Sequence, residues 1–344
     1  MADARPLLAF VALLIVALCL ASARPGGRTD PLRVDGVDRM PDVGFGTCCR
    51  KAAKGQPLID STLHYLEAGG RLLDTAQLYG NHRDVGAAVG QFVRSSGVKR
   101  ESLWITSKVR TLGKGGARTS AAAVAAVDES LDELGLAYLD LMLVHHPIDD
   151  PATAVAVWRG LLEAKAAGKL RHVGVSNHDR AQIEALERAT GARPAVNQIE
   201  FHPWVPDSTV ELARWCQRRG VAVTGYGSLG SSRARSDAQQ GALAQMAAER
   251  GVSSAQLLLG WALEQGVAMI PGATSAEHIR ANLRLARAPP PNRALAPPLA
   301  PPLQLGPAGR ERLRREAMPP SWRRWAQLAG EKKPEKNATA HSAN

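Results

Sequence analysis

Cysteine is scarce in this chain, with four in 344 residues. That frequency excludes a small domain built around disulfides. Acidic residues are outnumbered, 32 Asp and Glu against 43 Lys and Arg, which leaves a net charge of +11. Apolar residues make up 45%. That share suits a buried core and excludes both a largely disordered chain and a multi-span membrane protein. At about 150 residues per domain, the length allows two domains or one large α/β unit. The charge, taken whole, suggests an anionic partner such as nucleic acid or a lipid surface. Where it sits decides that.

The two ends differ from the middle. Residues 1–23 read as a secretory signal: Arg5 as a short positive flank, an apolar run from Leu7 to Leu20, then small residues at Ala21-Ser22-Ala23. The 18 uncharged residues from Pro6 to Ala23 reach the lower limit for spanning a bilayer. An uncleaved anchor is therefore the alternative, and membrane contact is expected only in that case. Either way the secretory pathway is the expected location. Residues 288–344 form a second distinct segment. Pro289-Pro290-Pro291, Pro297-Pro298 and Pro301-Pro302 predict an extended strap. Residues 308–344 then carry +5, and Arg310 to Arg315 can form one polar helix. Asn337-Ala338-Thr339 is a glycosylation sequon.

Residues 35–287 alternate strand and helix. Apolar or β-branched runs occupy Val43–Thr47, Arg71–Asp74, Leu103–Lys108, Leu139–Val144, His172–Val175, Ala195–Ile199, Val221–Tyr226 and Val267–Ile270. Ala-rich amphipathic stretches separate them, among them Pro57–Ala68, Ala121–Leu134, Ala152–Ala167 and Ala181–Arg188. Eight repeats in about 250 residues predict a single-domain α/β fold, the (β/α)8 TIM barrel. A doubly wound open sheet shares the alternation. Its glycine fingerprint occurs at Gly225-Tyr226-Gly227-Ser228-Leu229-Gly230, but at the seventh run and before a polar stretch, so it reads as a glycine-rich loop.

Polar residues gather at one end of each run. Asp74 ends the second, with Tyr79 just beyond; Lys108 ends the third and His145 follows the fourth. Ser176 and Asn177 follow the fifth, Gln198 and Glu200 close the sixth, and Tyr226 ends the seventh. Each alone is an ordinary structural polar group. In a parallel barrel all of them meet on one face. Their chemistry is coherent. Free tyrosine has a pKa of about 10 and gives up its proton reluctantly. A neighbouring ammonium favours the phenolate, so Lys108, aimed by Asp74, is expected to lower the pKa of Tyr79. His145 can donate a second hydrogen bond to the same bound oxygen. Two aimed donors suit a carbonyl becoming an alkoxide. No side chain can supply a hydride, so a cofactor must. Ser176, Asn177 and Gln198 suit a carboxamide, and Tyr226 offers a flat stacking surface.

On these segments the chain resembles the aldo-keto reductases, NAD(P)H-dependent barrel oxidoreductases. The matching motifs run in order: Met40-Pro41 with Gly44-Phe45-Gly46-Thr47, then Asp74-Thr75-Ala76-Gln77-Leu78-Tyr79-Gly80-Asn81, Ile105-Thr106-Ser107-Lys108, and Asp140-Leu141-Met142-Leu143-Val144-His145. Gly174-Val175-Ser176-Asn177, Val196-Asn197-Gln198-Ile199-Glu200 with His202-Pro203, Ile270-Pro271 and Asn282-Leu283 follow. The resemblance implies a catalytic tetrad of Asp74, Tyr79, Lys108 and His145. It implies cofactor contacts at Ser176, Asn177, Gln198, Tyr226, Ser228, Leu229 and Asn282. The implied reaction is reduction of an aldehyde or ketone with Tyr79 as general acid, by a monomer. The rival reading is a non-catalytic nucleotide-binding barrel that senses redox state or scaffolds a partner.

Departures from the family pattern bear on substrate and cofactor. Cys48 and His146 stand where the resemblance expects tryptophans walling the substrate pocket, so a roomier, more polar pocket is expected. His82 replaces a glutamate, with a structural effect expected. Gly272, Ala273 and His278 replace basic contacts to a 2′-phosphate, and Ala281 replaces an adenine contact. Charged hydrogen bonds contribute about 1.5–3 kcal/mol each. With Arg280 nearby as compensation, NADP(H) is favoured and NAD(H) is the alternative.

Cys48 and Cys49 are adjacent and form a strained disulfide at best, so no special role is expected of them, with a redox switch as the alternative. His64, His172, His178 and His202 lack metal-ligand spacing, so no metal is expected. Trp158, Trp215 and Trp261 read as packing between helices and barrel. Residues 1–287 carry only +5 of the charge. Few aromatics interleave the tail cations, Trp322 and Trp325 apart, so nucleic acid is not an expected partner.

Overall fold

The computed structural model describes residues 32–34, 38–49, 52–113, 115–230, 237–286 and 305–317. The expected signal segment, the proline strap and the Asn337 sequon lie outside them. The described chain starts with an antiparallel hairpin, β1 (Leu32–Val34) and β2 (Asp38–Met40). Eight parallel strands follow: β3 (Phe45–Gly46), β4 (Leu72–Asp74), β5 (Trp104–Val109), β6 (Leu139–Val144), β7 (Leu170–Ser176), β8 (Val196–Glu200), β9 (Ala222–Tyr226) and β10 (Ala268–Met269). Neighbours pair in chain order, and a parallel bridge from Val43 to Met269 joins the first stave to the last. This is the (β/α)8 barrel, and each of the eight expected runs supplies one stave.

Helices cover the barrel: α1 (Gln56–Glu67), α2 (His82–Ser96), α3 (Ser120–Leu134), α4 (Pro151–Ala166), α5 (Arg180–Thr190), α6 (Asp207–Arg218), α7 (Asp237–Ala248), α8 (Ser254–Glu264) and α9 (Ala276–Leu283). Their ends are written in sequence. Thr119 accepts from the Ala122 amide to start α3, and Gly135 stops it in the left-handed region. Asp179 with Gln182, and Ser253 with Gln256, form capping boxes for α5 and α8. Strands β5 and β6 are buried at every position. Parallel staves covered on both faces read as continuous apolar runs for that reason.

Two cores result. The larger lies between staves and helices and contains Trp158 and Trp261. Trp215 instead lies half-buried, with the Arg180 and Arg219 guanidinium groups over its ring. The smaller core lies inside the barrel floor. There Val34 and Met40 of the hairpin pack among Leu72, Trp104, Val196, Ala222 and Ala268, the first residues of five staves. The hairpin therefore plugs the end opposite the strand C-termini, and sequence reasoning did not anticipate it.

The polar helix expected around Arg310–Arg315 forms as α10 (Gly306–Glu316) and lies against the barrel. Leu313 is fully buried, while Arg310 pairs with Glu264, Arg312 with Glu249 and Arg314 with Asp207. These cations meet acids of this chain.

Candidate active site

The strand C-termini collect the expected residues on one face. Asp74 closes β4 and Lys108 lies near the end of β5, both almost wholly buried. Lys108 Nζ donates to Asp74 Oδ1 at 2.5 Å, to the Thr75 carbonyl at 2.9 Å and to Tyr79 Oη at 3.2 Å. One ammonium thus ties the carboxylate to the phenol. His145 follows β6 and meets the Tyr79 ring edge to face, with centroids 5.7 Å apart.

Tyr79 ends a single helical turn, Gln77–Tyr79, that Gly80 terminates at a left-handed φ of 58°. Gln77 immobilises that turn. Its Oε1 accepts from the Arg110 amide, and its Nε2 donates to the Ala126 carbonyl and to Glu129. Asn81 does the same on the other side. Its Nδ2 donates to the Thr47 and Ala53 carbonyls at 3.1 Å, and its Oδ1 accepts from Thr75. Gln77 and Asn81 were legible only as motif letters; their spacing in sequence gives no sign of these contacts.

The electrostatics differ in one respect from the sequence expectation. Lys108 does pull the Tyr79 pKa down, but burial outweighs it and the phenol stands above its ordinary value. Tyr79 therefore holds its proton. Burial alone would drive Lys108 toward neutrality, but Asp74 and Tyr79 more than offset it, so the ammonium is stabilised. Burial, then the charge of Lys108, then His146, push His145 down to about 2. His145 is therefore held neutral, and its Nδ1 has no hydrogen-bond partner among the described residues.

The second group joins this network. Gln198 Nε2 donates to Asp74 Oδ2 at 2.8 Å. Ser176 Oγ donates to the Gln198 carbonyl, and Asn177 Nδ2 donates to the His145 carbonyl and to Ser176 Oγ. Tyr226 Oη donates to Asn177 Oδ1 at 2.8 Å. Asn177 takes a left-handed φ of 62°, which only Cys49 shares among the described non-glycine residues. Eight expected residues therefore form one linked cluster. Ser228, Leu229 and Asn282 lie outside it. The Ser228 hydroxyl bonds back to the Gly225 carbonyl, Leu229 packs half-buried on the core, and Asn282 lies in α9.

His146 stacks on His145 with ring centroids 4.3 Å apart. Cys48 and Cys49 stand side by side in the loop that follows β3, Cys48 half-buried and Cys49 exposed. The His82 ring lies between Ser107 Oγ and Glu133 Oε2, and Ser107 is the chain neighbour of Lys108. Leu78 and Leu112, each 47% exposed, are the exposed large hydrophobics among the described residues. Leu78 stands in the Gln77–Tyr79 turn and Leu112 in the loop after β5, both at the same mouth, and sequence reasoning did not single them out.

Comparison with known proteins agrees with this geometry. Residues 56–292 match the model of the Aldo/keto reductase family. A 9,11-endoperoxide prostaglandin H2 reductase of Trypanosoma cruzi is 33% identical over 247 residues, covering 72% of this chain and 82% of the relative. A methylglyoxal reductase of Escherichia coli O157:H7 is 34% identical over 249 residues, covering 71% and 86%. The crystal structure of a Bombyx mori aldo-keto reductase in complex with NADP superposes with a TM-score of 0.65 at 28% identity, covering 74% and 86%.

Proposed function

The chain belongs to the aldo/keto reductase family and is an oxidoreductase; from that premise we propose that it reduces an aldehyde or ketone to an alcohol, with Tyr79 as the proton donor. The observation that carries this reading is the single ammonium of Lys108, held between Asp74 and Tyr79 beside a neutral His145.

In this reading Tyr79 Oη and the His145 imidazole both donate to the substrate oxygen. As negative charge develops there, the Tyr79 proton moves to it, and Lys108 stabilises the phenolate left behind. Asp74 keeps Lys108 charged and in place. The nicotinamide cofactor, when bound, supplies the hydride. The donor set fits a nicotinamide. Gln198 spends its amide N–H on Asp74, which leaves its Oε1 to accept from a carboxamide. Ser176 and Asn177 stand beside it, and Tyr226, held by Asn177, supports a ring face. NADP(H) is favoured over NAD(H). His278 and Arg280 are exposed on α9, which begins on the same face as the site. The Bombyx mori relative was solved with NADP.

The substrate side combines a polar wall at His146 with an apolar rim at Leu78 and Leu112. That combination suits a carbonyl attached to an apolar body. The test is a tryptophan-fluorescence titration with NADPH and NADH, followed by turnover on a panel of aryl aldehydes and ketones. Tight NADPH binding with turnover is the expected result. Binding without turnover across the panel overturns the reading.

A further inference from the structure

Tyr79 and Lys108 belong to different segments and meet at their tips, where Lys108 Nζ donates to Tyr79 Oη at 3.2 Å. Lysine reaches that point on a flexible four-carbon stem, so the contact cannot by itself set the spacing of the two segments. Two further bonds bracket it. Before Tyr79, Gln77 Oε1 accepts from the Arg110 amide at 2.9 Å. After Tyr79, the His82 ring meets Ser107 Oγ through Nε2, also at 2.9 Å. Residues 77, 79 and 82 thus oppose residues 110, 108 and 107. Tyr79 lies between the two bonds on one segment, and Lys108 lies between them on the other.

The His82 bond is on the outer side of the stave. Neighbouring strand residues point to opposite faces, so Lys108 enters the barrel mouth while Ser107 meets the first residue of α2. The His82 side chain is 1% exposed, and its Nδ1 pairs with Glu133 Oε2 of α3 at 3.2 Å. Burial, against the pull of Glu133, holds the ring below the ordinary histidine pKa. A neutral ring whose Nδ1–H donates to a carboxylate has an accepting Nε2, so the Ser107 hydroxyl donates to it. Serine, histidine and a carboxylate in this order are also the parts of a nucleophile relay. Ser107 is wholly buried behind the stave, so no acyl substrate reaches its hydroxyl.

We infer that His82 is a positioning residue for the proton donor. Through Ser107 it straps the segment that carries Tyr79 to the strand that carries Lys108, and together with Gln77 it fixes the separation at which the ammonium meets the phenol. This rests on the reading of Tyr79 as the donor. When the phenol proton passes to the substrate, the phenolate must already stand within reach of Lys108 Nζ, since groups aimed in advance need no rearrangement as the charge appears. Losing one bond lets the Tyr79 segment pivot about the other.

The test uses variants of the full chain, with melting temperatures to confirm folding. Ser107→Ala removes the strap and leaves the His82–Glu133 pair in place. Its kcat with a nitrobenzaldehyde should fall about tenfold to 10²-fold, the effect of misplacing a reacting group by about 1 Å, with KM and NADPH affinity within about twofold of the parent. His82→Phe fills the ring's space without a partner for Ser107 and should lose kcat in the same way. If it does not fold, Ser107→Ala carries the test alone. His82→Gln keeps one donor and one acceptor, and should restore most of the kcat. An unchanged kcat in Ser107→Ala, or a His82→Gln no better than His82→Phe, overturns the inference. In a Tyr79→Phe background Ser107→Ala should cost nothing further, because it acts through the phenol. A second loss of the same size there also overturns it. Tyr79→Phe alone turning over as fast as the parent overturns the donor reading instead.

Discussion

Gln198 and Asp74 stand 124 positions apart in the chain and share a 2.8 Å hydrogen bond at the centre of the barrel mouth. Asp74 therefore has two buried partners, Lys108 on one oxygen and Gln198 on the other. The floor of the proposed cofactor site and the proton-donating group are one connected structure. Gln198→Leu should weaken NADPH binding and also lower kcat, each by about tenfold or more, since a hydrogen bond to a charged group is worth about 1.5–3 kcal/mol. Fluorescence titration and steady-state kinetics separate the two effects. A change in binding alone would show that the bond to Asp74 does not matter for turnover.

Tyr79→Phe removes the proton donor and little else, because the ring and its contact with His145 remain. The expected loss in kcat with a nitrobenzaldehyde is about 10²- to 10⁴-fold, the usual contribution of a general acid. NADPH affinity should stay near that of the parent. A variant as fast as the parent excludes Tyr79 as the donor.

The pH profile of carbonyl reduction follows from burial. Tyr79 stands above its ordinary pKa and stays protonated through the neutral range. His145, pushed to about 2, stays neutral there as well. The kcat should therefore be flat from about pH 6 to pH 8 and fall only on the alkaline side, above about 10, where free tyrosine ionises. An acid limb near pH 6.5 that disappears in His145→Gln would contradict this assignment.

Stability should show the opposite sensitivity. His145 and His178 are pushed down to about 2 and about 4 by burial, so the unfolded chain binds protons that the fold refuses. Their contribution is complete above about pH 6.5 and is lost as pH falls toward the folded values, at about 1.4 kcal/mol per pH unit for each. Urea midpoints at pH 7.5 and pH 5 measure this directly. An unchanged midpoint would mean that these rings have access to water.

Leu313→Ala should undock α10. Leu313 is fully buried beneath a helix held otherwise by ion pairs, and emptying such a site costs about 2–5 kcal/mol. Brief trypsin treatment should then cleave between Arg310 and Arg315 in the variant and spare the parent. Equal cleavage rates would mean that the helix is not held there in solution.

The staves and their order were legible because buried parallel strands announce themselves as short apolar runs. The tetrad was legible for a related reason: barrel topology turns positions at strand ends into neighbours, so Asp74, Lys108 and His145 could be grouped without contact information. What escaped notice was lateral support. Gln77 and Asn81 look like loop polar residues, and only the folded backbone shows which carbonyls and amides they reach. The sign of the Tyr79 shift escaped for another reason. The effect of a nearby ammonium can be read from residue types, whereas the competing effect of burial depends on packing around the ring.

The hairpin at the barrel floor also gives the molecule an orientation. Leu32 opens the hairpin, so the chain enters the barrel at the pole opposite Tyr79 and His145. The mouth that gathers Tyr79 and His145 therefore stays clear of the point at which the described chain begins.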